Sequence, residues 1–378
     1  MHSSTSNSDF DFARTVPAVA WKPVLAAVVA LTLAAAAGWE ITARRLGYGP
    51  SIDDNPDLWA EQRTRVKADS VVLVGTSRML FNADLDVLEK GLGRRPIQLS
   101  LAGSSPFPML EDLAKDPDFR GTVILDVVPA MFLAPGGPPM EVSQKALKRY
   151  REWNVAQRWS HQIGKALDYN LAFINKDDLS LEKLLERIEL PERAAFHAPP
   201  KIPPYFFHVD GDRRGRMVEE AAIIGSPLQQ RVAHGWLPLF SPPPPPSFIP
   251  AEKFAEMMGR AIEARFGETQ KLIASIRARG GRVVFVRMPV QGPLVEREEM
   301  LAPLAHTWAR LVRENHAAAV NFADHPELRS FVLPEWSHLS APDSVEFTRR
   351  LLPHLQNALA SEGAYVSRLA AGSPAGSH

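Results

Sequence analysis

Short apolar runs alternate with longer segments of helical period along most of the chain. Val71–Val74, Ile97–Leu101, Thr122–Val127, Arg282–Met288 and Ala319–Phe322 are brief and dominated by Val, Ile, Leu and Phe, so each predicts a strand. Strands spaced by helices predict an α/β fold with a parallel sheet of about five strands covered by helices. Phe254, Met257, Met258, Ile262, Phe266, Ile273 and Ile276 recur at helical spacing and stop at Gly280-Gly281, as a helix feeding the fourth strand would. Asp343 is placed to cap a last helix carrying Val345, Phe347, Leu351, Leu352 and Leu355, with Pro353 as a kink.

Two regions break the rhythm. Pro23 to Trp39 is uncharged and mostly Ala, Val and Leu, flanked by Trp21 and Trp39. At ~1.5 Å per residue it covers about 26 Å, slightly short of a ~30 Å hydrocarbon layer, and Lys22 can snorkel to make up the difference. The segment predicts one N-terminal transmembrane helix. The alternatives are a cleaved signal peptide, with Ala34-Ala35-Ala36-Ala37 as its small residues, and a buried Ala-rich helix. Arg14 and Lys22 on one side balance Arg44 and Arg45 on the other; the preferred orientation puts the α/β domain outside the cytoplasm, periplasmic, on a single pass of the inner membrane. Between the third and fourth strands lie a basic, aromatic helix near Gln144–Leu167, a second near Leu179–Ile188, the stretch Tyr205 to Arg214, and Ser241 followed by Pro242 to Pro246, a stiff polyproline spacer. An insertion lying over the site, or a peripheral appendage, accounts for these equally well.

The expected division is a cytoplasmic polar tail (1–21), a transmembrane anchor (22–43), a linker (44–67), a first domain part (68–135), an insertion (136–250), a second part (251–362) and a disordered tail (363–378).

Composition narrows the chemistry. The 43 basic and 43 acidic side chains cancel, and no nucleic-acid-binding motif is present, so no field draws the chain to nucleic acid. The absence of cysteine excludes disulfides, thiolate metal sites and a Cys nucleophile. Gly-x-Gly-x-x-Gly, Walker and His-Glu-x-x-His motifs are missing, the His residues show no ligand spacing, and neither metal nor cofactor is implied.

What remains is a hydroxyl at a strand end. Ser77 follows Val71-Val72-Leu73-Val74-Gly75-Thr76, and far downstream comes Glu335-Trp336-Ser337-His338. Serine needs an imidazole to take its proton and a third group to fix that imidazole. Glu335, three residues before His338, can be that group; Asp324, after the fifth strand, is the alternative. The plain structural readings are a helix-capping Ser77 and a satisfied structural His338. Met79 stands where an α/β-hydrolase elbow needs its second glycine, which argues against that fold.

Gly75-Thr76-Ser77, Leu99 to Pro106 with Gly103, and Glu335-x-x-His338-Leu339-Ser340 resemble, in order and placement, the SGNH/GDSL hydrolases, and within them the membrane-anchored bacterial branch related to alginate-type O-acetyltransferases. The resemblance spans about residues 68–135 and 262–360. It implies a flavodoxin-like three-layer sandwich, Ser77 as nucleophile, His338 as base, Glu335 as its orienting acid, and an oxyanion hole from the amides of Ser77 and Gly103. Two departures stand out. The family's acid is usually Asp. Its Gly-x-Asn-Asp block is here Asp126-Val127-Val128-Pro129, without the Asn donor. Arg287, at the end of the fourth strand, and Arg78 are the candidates to replace it, or else paired structural charges.

Three functions follow as expectations. One is an anchored serine esterase or O-acyltransferase acting on acylated carbohydrate or another envelope ester. The second is a catalytically reduced domain that binds glycans or proteins of a polysaccharide machine. The third is a non-enzymatic scaffold.

Overall fold

The computed structural model describes residues 19–186, 206–241 and 246–371. Five parallel strands form the central sheet: β1 (Val71–Val74), β2 (Ile97–Gln98), β3 (Thr122–Asp126), β6 (Arg282–Arg287) and β7 (Ala319–Asn321), in the order β2-β1-β3-β6-β7. The order runs outward in both directions from β1 and β3, so the sheet is doubly wound, and ligands of such sheets sit beyond the carboxyl ends at that switch. Strands covered on both faces are apolar throughout, and alternate residues divide between two cores. Val72, Val74, Val123, Leu125, Val283 and Phe285 face the helices Phe107–Lys115 and Ala251–Ala278. Leu73, Ile124, Val284 and Val286 face Leu85–Leu92 and the last helix, Ala341–Ala370.

The five predicted strands stand where expected, the first with the same bounds and the other four shorter at the carboxyl end. After Gln98, Asp126, Arg287 and Asn321 the backbone leaves the sheet to build loops. The helix Ala251–Ala278 ends at Gly280, whose φ of +83° is the left-handed geometry glycine takes without strain.

Several expectations need correction. Residues 44–67 are no linker: Asn55 caps a helix, Pro56–Arg65, through Asp57 N and Leu58 N, and its fully buried Trp59 donates Nε1 to Leu99 O at 2.8 Å. The cap of the last helix is Ser340, whose Oγ accepts from Asp343 N; Asp343 supplies the carboxylate that bonds Ser340 Oγ at 2.7 Å. That helix continues through Pro353 to Ala370, so 363–370 is not a disordered tail. Arg277 holds it by a buried pair with Glu362 at 2.7 Å, and Val366 is buried.

The basic helix of the insertion is two, Pro138–Arg151 and Val155–Asp168, split where Asn154 caps the second with a capping box to Gln157. The second predicted helix is also two short pieces, Lys176–Leu179 and Leu181–Glu186. Phe207–Val209 (β4) and Gly215–Met217 (β5) form an antiparallel hairpin, and a helix spans Pro227–Leu239. Pro242–Pro245 lie outside the described residues, as do 1–18, 187–205 and 372–378.

The N-terminal apolar segment is one helix, Trp21–Arg45, with mean hydropathy 2.0 over its most apolar window and no part of that window buried; it is long and apolar enough to cross a membrane.

Candidate active site at the carboxyl edge of the sheet

β1 is followed by Gly75, where a Cβ would come within 2.7 Å of the Asp126 Cβ, so only glycine lets the ends of β1 and β3 close so tightly. Asp126, fully buried, then accepts from Thr76 N at 3.2 Å and Thr76 Oγ1 at 3.0 Å. Thr76 in turn caps the helix Ser77–Asn82 through Arg78 N. The cap is therefore Thr76, and Ser77 is the first helical residue. Its hydroxyl is partly exposed and makes no hydrogen bond among the described residues, so the capping role does not explain it.

The loop from 330 to 340 lies along this helix. Arg78 Nε donates to Ser337 Oγ at 3.0 Å, Leu339 N donates to Asn82 Oδ1 at 2.9 Å, and Phe81 packs on the His338 ring with centroids 4.5 Å apart. Phe81 is one turn beyond Ser77 on the same helix face. The two neighbours of His338 are thus fastened to the helix that Ser77 opens.

His338 is itself fully buried. Its Nδ1 lies 2.8 Å from Glu335 Oε1, which also accepts from His338 N at 2.5 Å. Closing so short a turn with a side chain drives Trp336 to φ +73°, a strained conformation for an aromatic residue. Trp336 O accepts from Gln291 N at 2.8 Å, which holds the turn in place. Of the two candidate acids, Glu335 takes the histidine; Asp324 instead accepts from Asn321 Nδ2.

His338 Nε2 is buried with no hydrogen-bond partner among the described residues. No hydrogen bond joins it to Ser77 Oγ. Around it stand Phe81, Phe206 of the segment leading into β4, and Trp236 of the helix Pro227–Leu239, the latter two with ring centroids 5.5 and 5.6 Å from the imidazole. Trp236 Nε1 also donates to Glu335 Oε2, so each oxygen of the fully buried Glu335 has a donor. The hairpin is fixed by Arg213, at φ +62°, which pairs with Asp54 at 2.6 Å and donates to Gln98 O and Ser100 O at the end of β2. Phe206, Trp236 and Arg213 were not identified from the sequence; nothing in their local spacing ties them to residues a hundred or more positions away.

Gly103, at φ +64° and exposed, turns the chain after β2, and neither its amide nor that of Ser77 is hydrogen-bonded among the described residues. Both are free to donate. Arg78 and Arg287 are not free. Both guanidiniums are buried against Glu298: Arg78 Nη2 donates to its Oε1, and Arg287 Nη2 lies 3.7 Å from its Oε2, with Arg287 Nη1 on Asn321 Oδ1 at 3.3 Å. Burial pulls the Arg287 guanidinium below the ordinary arginine value, with Glu298 acting against it. Burial likewise pushes the Asp126 carboxyl up, opposed by Arg78 and by the Thr76 hydrogen bonds. Asp126 Oδ1 and Arg287 Nε have no partner among the described residues. Arg78, in the Ser77 helix, and Arg287 are thus both paired with the one carboxylate of Glu298.

His325, Glu327 and His354 bring three ligand-type atoms within 4.8 Å, a grouping their sequence spacing did not reveal. Glu327 Oε1 lies 2.6 Å from His354 Nε2, and the two imidazoles are tilted by 32° with centroids 3.7 Å apart. A surface cavity of about 460 Å³, lined by Arg65, Arg95, Lys165, Tyr169 and Arg214 among others, does not include the Ser77 and His338 residues, and its cations are each paired with carboxylates. The chain matches no protein-family model, no curated protein and no solved structure.

Proposed function

We propose that the chain is a membrane-anchored serine ester enzyme of SGNH type, with a flavodoxin-like sandwich, acting through an acyl-serine intermediate on acylated carbohydrate or another envelope ester. The observation that carries this reading is His338: Glu335 fixes it through Nδ1, its Nε2 has no other task, and its neighbours in sequence are fastened to the helix that begins with Ser77. A histidine held by one nitrogen with the other left unbonded is arranged as a general base.

In this mechanism Nε2 takes the Ser77 proton as Oγ attacks the acyl carbon, and Glu335 stabilises the imidazolium. The unbonded amides of Ser77 and Gly103 receive the oxyanion. His338 then returns the proton to the leaving alkoxide, and water or a sugar hydroxyl resolves the acyl-serine. Water makes the enzyme an esterase; a sugar makes it an O-acyltransferase. The anchor would hold the domain on the periplasmic side of an inner membrane, where envelope polysaccharide and its machinery are the partners.

One observation favours a second reading. Ser77 and His338 are not hydrogen-bonded, and Phe206 and Trp236 cover the imidazole; a reduced SGNH-like domain that binds glycans without turnover would tolerate both. A fluorophosphonate probe separates the readings. Mass spectrometry should find the adduct on Ser77, absent from His338→Ala. An unlabelled Ser77 in folded protein that retains glycans favours the binding domain.

A further inference from the structure

The helix Val155–Asp168 is amphipathic in the wrong direction for a protein in water. No residue along it is buried. Its polar face meets the domain: His161 Nε2 lies 2.8 Å from Glu61 Oε2, and Lys165 Nζ donates to both Glu61 oxygens at 2.7 and 2.6 Å. At ~100° per residue, the direction opposite His161 and Lys165 is occupied by Val155, Ala156, Trp159, Ile163, Ala166 and Leu167, with Ser160 the one polar residue among them. Val155, Trp159, Ile163 and Leu167 are 69, 67, 59 and 47% exposed. A surface helix ordinarily turns that face inward; here the ion pairs fix it outward.

The helix also has a defined place. Immediately after it, Asn170 O accepts from Arg44 Nη2 at 3.1 Å, while Ala172 N and Phe173 N donate to Glu40 Oε2 at 2.8 and 3.2 Å. Glu40 and Arg44 belong to the last turns of Trp21–Arg45, beside the exposed Trp39, where a spanning helix leaves the hydrocarbon and aromatic side chains collect. The outward apolar face therefore adjoins the membrane-exit end of the anchor.

We infer that Val155–Asp168 lies in the lipid interface, with Trp159, Ile163 and Leu167 inserted among the acyl-chain ends, so that the domain is mounted on the bilayer at two points rather than tethered by one. A helix with Trp and branched aliphatics on one face and polar groups on the other is built for that layer. The inference rests on Trp21–Arg45 spanning the bilayer, and is separate from the ester chemistry.

The chain contains no cysteine, so single-cysteine variants of the full chain can carry a spin label without background. Ile163→Cys, Leu167→Cys, the anchor position Leu31→Cys and the exposed domain position Lys115→Cys would be labelled in nanodiscs of phosphatidylcholine and phosphatidylglycerol. Relaxation by oxygen and by a water-soluble nickel chelate would then be compared. The oxygen-to-nickel accessibility ratio at 163 and 167 should exceed that at 115 at least fivefold and approach that at 31. A ratio at 163 and 167 equal to that at 115, with 31 in lipid, overturns the inference and leaves the anchor standing. A water-like ratio at 31 removes the anchor and the inference together. Positions 163 and 167 closed to both reagents would mean a protein contact and would also overturn it.

Discussion

Glu298→Gln isolates the buried charge cluster behind the Ser77 helix. The carboxylate serves two guanidiniums, Arg78 on Oε1 and Arg287 at 3.7 Å from Oε2, and the side chains of Arg78, Arg287 and Glu298 are 3, 5 and 4% exposed. Asp126 is a weak substitute counter-charge, because burial pushes its carboxyl up. The amide keeps the shape and removes the charge, leaving two cations in a desolvated site. Breaking a buried pair in this way costs about 3–5 kcal/mol, a large fraction of the ~5–15 kcal/mol that holds a domain together. Urea unfolding followed by circular dichroism should show the midpoint falling by at least about 1 M. Replacing all three charges with apolar residues of similar volume (Arg78→Met, Arg287→Met, Glu298→Leu) should recover most of the loss. A Glu298→Gln variant within about 1 kcal/mol of wild type would refute the reasoning and reopen Arg287 as a group that meets substrate.

The remaining tests address the same edge of the sheet and its support. Trp236→Phe removes the only donor to Glu335 Oε2 among the described residues and should cost about 1.5–3 kcal/mol in unfolding, the scale of a hydrogen bond to a charged group, with ester turnover falling in kcat more than in KM; unchanged stability and turnover would contradict that role. Asp126 has its folded-state pKa raised, so the carboxyl binds its proton more tightly folded than unfolded, and its cost to stability grows as pH rises from the unfolded value, about 3.9, through the folded one. Asp126→Asn should therefore gain stability relative to wild type as pH rises over that window, and urea midpoints at several pH values showing the opposite slope would contradict it. Burial alone would raise the Glu61 carboxyl, but His161, Lys165 and Arg65 overcome it and hold the group at about 2. Its contribution is present above the unfolded value near 4.3 and lost as pH falls toward 2; Glu61→Gln should abolish that acid-sensitive component, and an unchanged acid limb would contradict it.

The sheet could be read from the sequence because parallel strands buried on both faces are continuous apolar runs, as Val71–Val74 and Arg282–Arg287 are. The partnership of Glu335 with His338 was legible for a similar reason: three residues of separation keep the acid within reach of the imidazole. The helix Pro56–Arg65 was missed although Asn55-Pro56 is a good start signal, because Leu58 and Trp59 alone supply its apolar side and no period emerges. The break at Asn154 was hidden inside a basic stretch of helix-forming residues. Glu298 could not be assigned, since its pairing with Arg78 spans 220 positions and depends on how the loop after β6 folds back. The contact of Trp236 with Glu335, across 99 positions, depends likewise on the folding of the insertion.

The central claim is tested most directly by hydrolysis of a chromogenic acetyl ester by the purified full chain, with Ser77→Ala and His338→Ala alongside. The account predicts measurable turnover that falls at least about a hundredfold in each variant, corresponding to about 3 kcal/mol of transition-state stabilisation, with both variants folded. Turnover in wild type that is indifferent to Ser77, or a folded wild type with none, would contradict it.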